Sequence, residues 1–249
     1  MTTICVIMAM TEEISAFEQH LEKNGYSPQG NMEYRRDNLS IHIFRCGVGA
    51  GRLKKLAGKH DVLRGSSAII IAGISGAING NYGISDTIIP RHACLLDGKF
   101  SLDMNEQLIK VSEKAFADIR ITVKPCYQVV TANRLVDRDA KRQIDFADAV
   151  DMETYHITAW LKEHDLPEPL CVRVISDTRN QRLPDEKSIV SYMRDPRGFI
   201  FKNTFAHPLE CLKLLKLMLN SKKAVHILGE YMIRMIDCFE ECFKGQKYV

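Results

Sequence analysis

The chain has no Cys-x-x-Cys pair, no Gly-x-Ser-x-Gly, no glycine loop ending in Gly-Lys-Ser/Thr and no long Lys/Arg cluster. Each absence removes a class of protein. Its eight cysteines (Cys5, Cys46, Cys94, Cys126, Cys171, Cys211, Cys238, Cys242) are scattered, and only Cys238 and Cys242 fall within one helical turn. A structural zinc site needs four converging ligands, so no metal is expected, and the thiols read as reduced ones of a cytosolic protein. Without a nucleophile elbow a Ser/His/Asp hydrolase has no support. Gly47 and Gly49 lack the third glycine of a dinucleotide fingerprint, and the segment Gly73-Ile74-Ser75-Gly76 lacks the P-loop lysine. No cofactor is therefore expected. The formal net charge is only +3, so no nucleic-acid partner is implied. The N-terminus has neither a basic region nor a cleavage site, and a cytoplasmic location is expected. The long uncharged stretch between Arg64 and Asp86 carries five glycines with Ser75, Asn79 and Asn81. It reads as a buried strand running into a glycine-rich loop rather than as a membrane span.

What is present is an ordinary globular composition: 249 residues, 45% hydrophobic and 26% charged. A chain of this length buries about 70–75% of its unfolded surface, so no disulfide or metal staple is required. Short apolar runs at Ile4-Cys5-Val6-Ile7-Met8, Ile41-His42-Ile43-Phe44, 68–72, 87–89, 128–130 and 171–175 predict strands. Between them Thr11 is expected to cap an acidic amphipathic helix, a basic helix follows Gly51, and 152–164 reads as another helix. Strands alternating with helices predict an α/β domain with a mostly parallel sheet. The tail differs, with two apolar-rich helical stretches at 209–219 and 224–243 and Lys213, Lys216, Lys222 and Lys223 interspersed. Such faces pack on the domain or a second subunit, or lie on a membrane surface.

In open α/β sheets ligands bind at the carboxyl ends of strands. Four segments change character there: Ala9-Met10-Thr11-Glu12-Glu13, Gly47-Val48-Gly49, Gly73 to Ala77, and Ser176-Asp177. Three in order carry a resemblance: Ala9-Met10-Thr11-Glu12-Glu13, Val150-Asp151-Met152-Glu153-Thr154 and Arg173-Val174-Ile175-Ser176-Asp177. With them the chain resembles the purine nucleoside phosphorylase/uridine phosphorylase superfamily from Met1 to about Asp177, and within it the methylthioadenosine/S-adenosylhomocysteine nucleosidases.

The resemblance implies a three-layer α/β/α phosphorylase-like domain with a twisted mixed sheet over residues 1–206. Residues 207–249 would be a C-terminal helical extension of the same domain. It implies a homodimer, a small-molecule nucleoside substrate, and cleavage of the N-glycosidic bond of a purine nucleoside, a 5′-substituted adenosine first. Glu13 would be the base for the attacking water, Arg173 its positioning group, and Asp177 the acid protonating the leaving purine. Met152 and Glu153 would clamp the ribose. Gly49, Gly73, Ser75, Gly76, Leu135, Val136 and Ser176 would complete the substrate site. The chemistry asks for such groups, because the sugar becomes oxocarbenium-like while the base departs as an anion.

The chain departs from those nucleosidases at three places. They carry Gly-Ser-Ala-Gly-Gly where this chain has Gly73-Ile74-Ser75-Gly76-Ala77, so Ile74 replaces the serine near the water. Their adenine-stacking aromatic falls near Leu135, with Val136 next. The phosphate-holding arginine of the phosphorylases falls at Ile71, which favours hydrolysis unless Arg45, Arg52 or Arg134 takes over. A second branch, the hopanoid-associated phosphorylases, is similar in Asp151-Met152-Glu153, in Leu183-Pro184 and in a helical tail from His207-Pro208-Leu209. It implies removal of adenine from a lipid-linked adenosine at a membrane surface. A third alternative is a non-catalytic nucleoside-binding protein.

Overall fold

A computed structural model describes residues 2–116, 123–195, 206–243 and 245. The strands are β1 (Thr2–Met8), β2 (Ser27–Gly30), β3 (Glu33–Arg36), β4 (Leu39–Arg45), β5 (Ala68–Ala77), β6 (Thr87–Leu95), β7 (Ser101–Asp103), β8 (Val123–Thr131), β9 (Ala149–Asp151) and β10 (Leu170–Asp177). The helices are α1 (Thr11–Lys23), a 3-10 helix (Ala50–Lys59), α2 (His60–Arg64), α3 (Glu106–Phe116), α4 (Arg138–Gln143), α5 (Thr154–Glu163), α6 (Glu186–Arg194) and α7 (Pro208–Phe243). They form a mixed α/β fold around one ten-stranded sheet.

Strand β1 shows why the layers number three. Ile4, Val6 and Met8 point into one core with Phe17, Leu21 and the second half of α7. Cys5, Ile7 and Ala9 point into the other, with Leu56, Leu63, Ile157 and Leu161. A strand buried on both faces reads as an unbroken apolar run instead of an alternating one. Fully burying a side chain such as Phe17 contributes about 1.5–3 kcal/mol.

Among the described residues the sheet is mixed, with five parallel strand pairings and five antiparallel ones. Strands β1, β4, β5 and β10 run parallel, while β5 meets β9, and β10 meets β6, antiparallel. Strand β5 pairs with both β10 and β9, and the path β10-β6-β8-β9 completes a closed ring. That closure gathers the ends of β5, β9 and β10 at one place.

Four sequence expectations need correcting. The residues from Gly73 to Ala77 are not a loop but the continuation of β5. Helix α1 begins at Thr11 with Met10 as its N-cap residue, and the acceptor for the Met10 N–H is the Glu13 side chain. The basic segment after Gly49 is largely a 3-10 helix. The tail is a single 36-residue helix, because nothing between Asn220 and Lys223 breaks it. Its second half is core, tied to β3 where Arg36 bridges Asp237 at 2.5 Å and Glu240 at 3.1 Å. Its first half leaves Leu209, Leu212, Leu215 and Leu219 exposed. Among the described residues no helix is long and apolar enough to cross a membrane.

Candidate active site

The register of β5 against β10 builds the site. Arg173 pairs with Gly73, Ile175 with Ser75 and Asp177 with Gly76, leaving Ser176 as the extra residue of a bulge. A β-bulge re-aims side chains locally. Both glycines are required by what crosses them. A Cβ at Gly73 would collide with the Arg173 guanidinium and sit 2.8 Å from Glu13 Oε1. A Cβ at Gly76 would lie 2.6 Å from Lys141 Nζ and 2.8 Å from Asp177 Oδ2. Two charged groupings therefore lie against one strand, three residues apart.

The first grouping centres on Glu13 and Arg173, both buried. Glu13 Oε2 accepts the Met10 N–H at 2.9 Å, and Oε1 accepts the Ile74 N–H at 3.0 Å. The residue at position 74 thus serves through its backbone, whatever its side chain. Burial pushes the Glu13 carboxyl above the usual carboxylate range, against the pull of the two N–H groups and of Arg173. Arg173 reaches Asp151 Oδ2 at 2.5 Å, donates to Thr154 Oγ1 from Nε at 3.2 Å and from Nη2 at 2.6 Å, and lies 4.0 Å from Glu153. Asp151 also accepts from Thr131 Oγ1 at 2.7 Å and from the Thr154 N–H at 3.1 Å. Arg173 therefore fixes the β9–α5 junction that carries Glu153, while its charge faces Glu13.

Glu153 is buried, and its carboxyl is pushed up to about 8, first by burial and then by the charge of Asp151, with Arg173 opposing. The folded protein keeps this proton to about pH 8, whereas the unfolded chain releases it at about pH 4.3. Between those limits the unfolded state binds fewer protons, so stability falls as pH rises. Glu153→Gln removes this dependence. Its melting temperature should equal wild type below about pH 4 and exceed it by a margin that grows to pH 8. A margin constant with pH, in thermal unfolding at single-unit steps, would show that the carboxyl is not held protonated.

The second grouping centres on Asp177. Its Oδ1 accepts from Ser176 Oγ at 3.2 Å, and its Oδ2 is ion-paired with Lys141 of α4. Lys141 is only 1% exposed. These two residues border a cleft with Gly76, Leu135, Val136, Met152 and Leu183, in which about 50 Å³ remains open. That is room for a water or two, far below the ~300 Å³ of an ordinary small-molecule site. The ion pair is what closes it.

The structure brings Glu13, Gly73, Glu153 and Arg173 into one grouping, and Gly76, Leu135, Val136, Met152, Ser176 and Asp177 into the other. Ser75 enters through its carbonyl, which accepts from Ser176 Oγ at 3.2 Å, while its own hydroxyl is buried without a hydrogen-bond partner. Gly49 opens the 3-10 helix at φ +81°, and no described contact ties it to either grouping. Sequence reasoning missed Lys141 altogether and passed over Asp151 and Thr154. The last two form an Asp-x-x-Thr pattern at a strand-to-helix junction, a legible capping signal.

Fold and buried groupings together define an α/β protein with two buried charged groupings where β5, β9 and β10 meet. A profile of the phosphorylase superfamily matches residues 3–195. The chain belongs to the phosphorylase superfamily, and is an enzyme of the N-glycosidase or nucleoside phosphorylase class. Its fold is similar to that of the Helicobacter pylori 5′-methylthioadenosine/S-adenosyl homocysteine nucleosidase, with TM-score 0.69 and 17% identity over 95% of this chain and 98% of that one. Futalosine hydrolase of H. pylori gives 0.69 and 16% over 95% and 97%. The Campylobacter jejuni 5′-methylthioadenosine/S-adenosyl homocysteine nucleosidase gives 0.68 and 16% over 95% and 99%. A comparison with curated proteins finds no match.

Proposed function

We propose that the protein hydrolyses the N-glycosidic bond of a purine nucleoside, an adenosine substituted at its 5′ position, releasing adenine. The observation that carries this reading is the placement of a base and an acid against one strand. Glu13 lies at Gly73 and the Asp177–Lys141 pair at Gly76, both on β5. In inverting glycosidases a base and an acid flank the bond with a water beside the base. Glu13, with both oxygens held and its basicity raised by burial, takes the proton of that water. Glu153, as a neutral acid, both accepts from and donates to the ribose hydroxyls, and Met152 lies along the sugar. Ile71 is buried in the apolar core where a phosphate-binding arginine would stand, which favours water over phosphate as the nucleophile.

The test is incubation with methylthioadenosine, S-adenosylhomocysteine, adenosine and inosine, each with and without phosphate, following base release. Release of adenine without phosphate is expected. Release only with phosphate would make the protein a phosphorylase. A second reading, a lipid-linked adenosine taken at a membrane surface, is favoured by the exposed leucines of α7. That helix is joined to the loop bordering the cleft, through Asn220 to Gln181 at 3.2 Å and the Asp185 N–H to Glu210 at 3.1 Å. Release confined to a 5′-alkyl adenosine in anionic vesicles would select it.

A further inference from the structure

Arg173 uses only part of its hydrogen-bonding capacity on the cluster around it. A guanidinium carries five N–H donors in a fixed fork and has no acceptor. Its Nε and Nη2 donate to Thr154 Oγ1 at 3.2 and 2.6 Å, and Nη2 also reaches Asp151 Oδ2 at 2.5 Å. Nη1 is the arm that crosses Gly73, against the same point that Glu13 Oε1 approaches to 2.8 Å. Among the described residues no hydrogen bond or ion pair takes Nη1. Two N–H groups of a buried cation are thus turned toward a carboxyl whose oxygens are held by the N–H groups of Met10 and Ile74. The Ile74 side chain offers no hydrogen bond there.

Thr154 decides which arm is left over. Its hydroxyl has one hydrogen and two lone pairs. The two arginine groups can only donate, so they fill the lone pairs. The hydrogen then goes to Asp151 Oδ2, which is nearer than Cys171 Sγ at 3.5 Å. The hydroxyl is saturated, and the fork is held in one orientation. The β9–α5 junction does not need this hydroxyl. Asp151 Oδ2 accepts the Thr154 N–H at 3.1 Å, Thr131 Oγ1 accepts the Tyr155 N–H at 2.9 Å, and the Glu153 carbonyl accepts the Ile157 N–H at 2.9 Å. The donors of all three bonds are main-chain groups, which any ordinary side chain at position 154 leaves in place. We propose that Thr154 is a positioning residue whose hydroxyl turns Arg173 so that Nη1 faces the water activated by Glu13. The inference rests on the function proposed above.

What Nη1 supplies is direction. A water has two hydrogens and two lone pairs. Glu13 takes one hydrogen and Nη1–H takes one lone pair, which leaves the second lone pair aimed one way. Arg173 gives up no proton. Without this donor the water turns about its bond to Glu13, and its lone pair loses its aim. A misplacement of about 1 Å at a reacting centre costs on the order of 10²-fold in rate. Thr154 is fully buried, so it acts through Arg173 and not on the nucleoside.

Thr154→Val keeps the shape of the side chain and removes the hydroxyl. Its kcat on methylthioadenosine should fall about 10²-fold with KM nearly unchanged, and Thr154→Ser should restore most of the loss. An unchanged kcat, a KM that rises as far as kcat falls, or no rescue by serine would each overturn the assignment. Should Thr154→Val fail to fold, Thr154→Cys takes its place with the same expectations, because sulfur is a weak acceptor. A second measurement needs no turnover. Arg173, Glu153 and the Cys46 thiol act electrostatically on Glu13, and of these only Arg173 is bonded to Thr154. Carboxyl 13C NMR follows the titration of Glu13, its signal identified by its loss in Glu13→Gln. The midpoint should move in Thr154→Val, or in Thr154→Cys, and return in Thr154→Ser. An unmoved midpoint means that the guanidinium does not turn, and overturns the assignment. A wild type silent on every purine nucleoside would sink the functional reading instead, and the Glu13 titration then judges Thr154 alone.

Discussion

Arg173→Met is expected to destabilise the protein by about 3–5 kcal/mol, the cost of stripping a buried charge cluster of its counter-ion. For a domain of this size that is a fall of roughly 6–20 °C in melting temperature. The guanidinium lies between Asp151 at 2.5 Å and Glu153 at 4.0 Å, and its charge also acts on Glu13. Methionine keeps the aliphatic stem and removes the charge, so a small cavity adds to the electrostatic loss. Three acidic groups then share a dry interior with only hydroxyl and backbone donors left. The penalty has a direction in pH. The orphaned carboxyls relieve it by taking protons, so the variant should lie closer to wild type at pH 5 than at pH 8. Adding Asp151→Asn removes the carboxylate nearest to the guanidinium and should recover part of the loss, a coupling expected of residues in contact. A denaturant midpoint within about 1 kcal/mol of wild type at pH 8, or a gap independent of pH, would show that Arg173 is not what neutralises the cluster.

The sequence discloses what depends on local pattern and hides what depends on distant partners. Runs such as Ile4-Cys5-Val6-Ile7-Met8 announce strands buried on both faces, and β1, β4, β5 and β10 lie where such runs stand. The hairpin of β2 and β3 is not legible, because Ser27-Pro28-Gln29-Gly30 is exposed throughout and carries no apolar alternation. Glycines mislead for a physical reason. Gly73 and Gly76 look like turn residues, yet they sit within β5 because Arg173 and Lys141 need the space of the missing side chains. Glu13, Glu153, Arg173 and Asp177 are legible only as an ordered set. Lys141 is not legible at all. It lies in Arg138-Asp139-Ala140-Lys141-Arg142, which reads as a solvated charged helix, and its partner is 36 residues away on strand β10. The closed ring is hidden likewise, since it needs β5 to pair with β10, a hundred positions later in the chain.

Glu13→Gln should lower kcat by about 10²–10⁴-fold while leaving the KM for nucleoside nearly unchanged. The reason lies in what the carboxylate touches. Both of its oxygens are already engaged by the N–H groups of Met10 and Ile74, so it is held rigidly and has lone pairs left for one more donor. That donor is the attacking water, whose proton is wanted only as the bond to C1′ forms. An interaction made in the transition state and not with bound nucleoside appears in kcat, at about 1.36 kcal/mol for each tenfold. The glutamine amide keeps one acceptor oxygen but turns an NH2 toward the Met10 or the Ile74 N–H, setting donor against donor at about 1–3 kcal/mol. Against this, glutamine removes a carboxyl whose ionisation burial opposes, so the net change in melting temperature should be small above neutral pH. Glu13→Asp separates the two effects. It keeps the charge but draws the carboxylate back by one methylene, so it too should lose most of kcat through misplacement while still titrating. Steady-state kinetics on methylthioadenosine decide. A KM that rises as far as kcat falls would put Glu13 in contact with the substrate itself. The proton of the water would then have to go to a group other than Glu13, and not to Glu153, which already carries one.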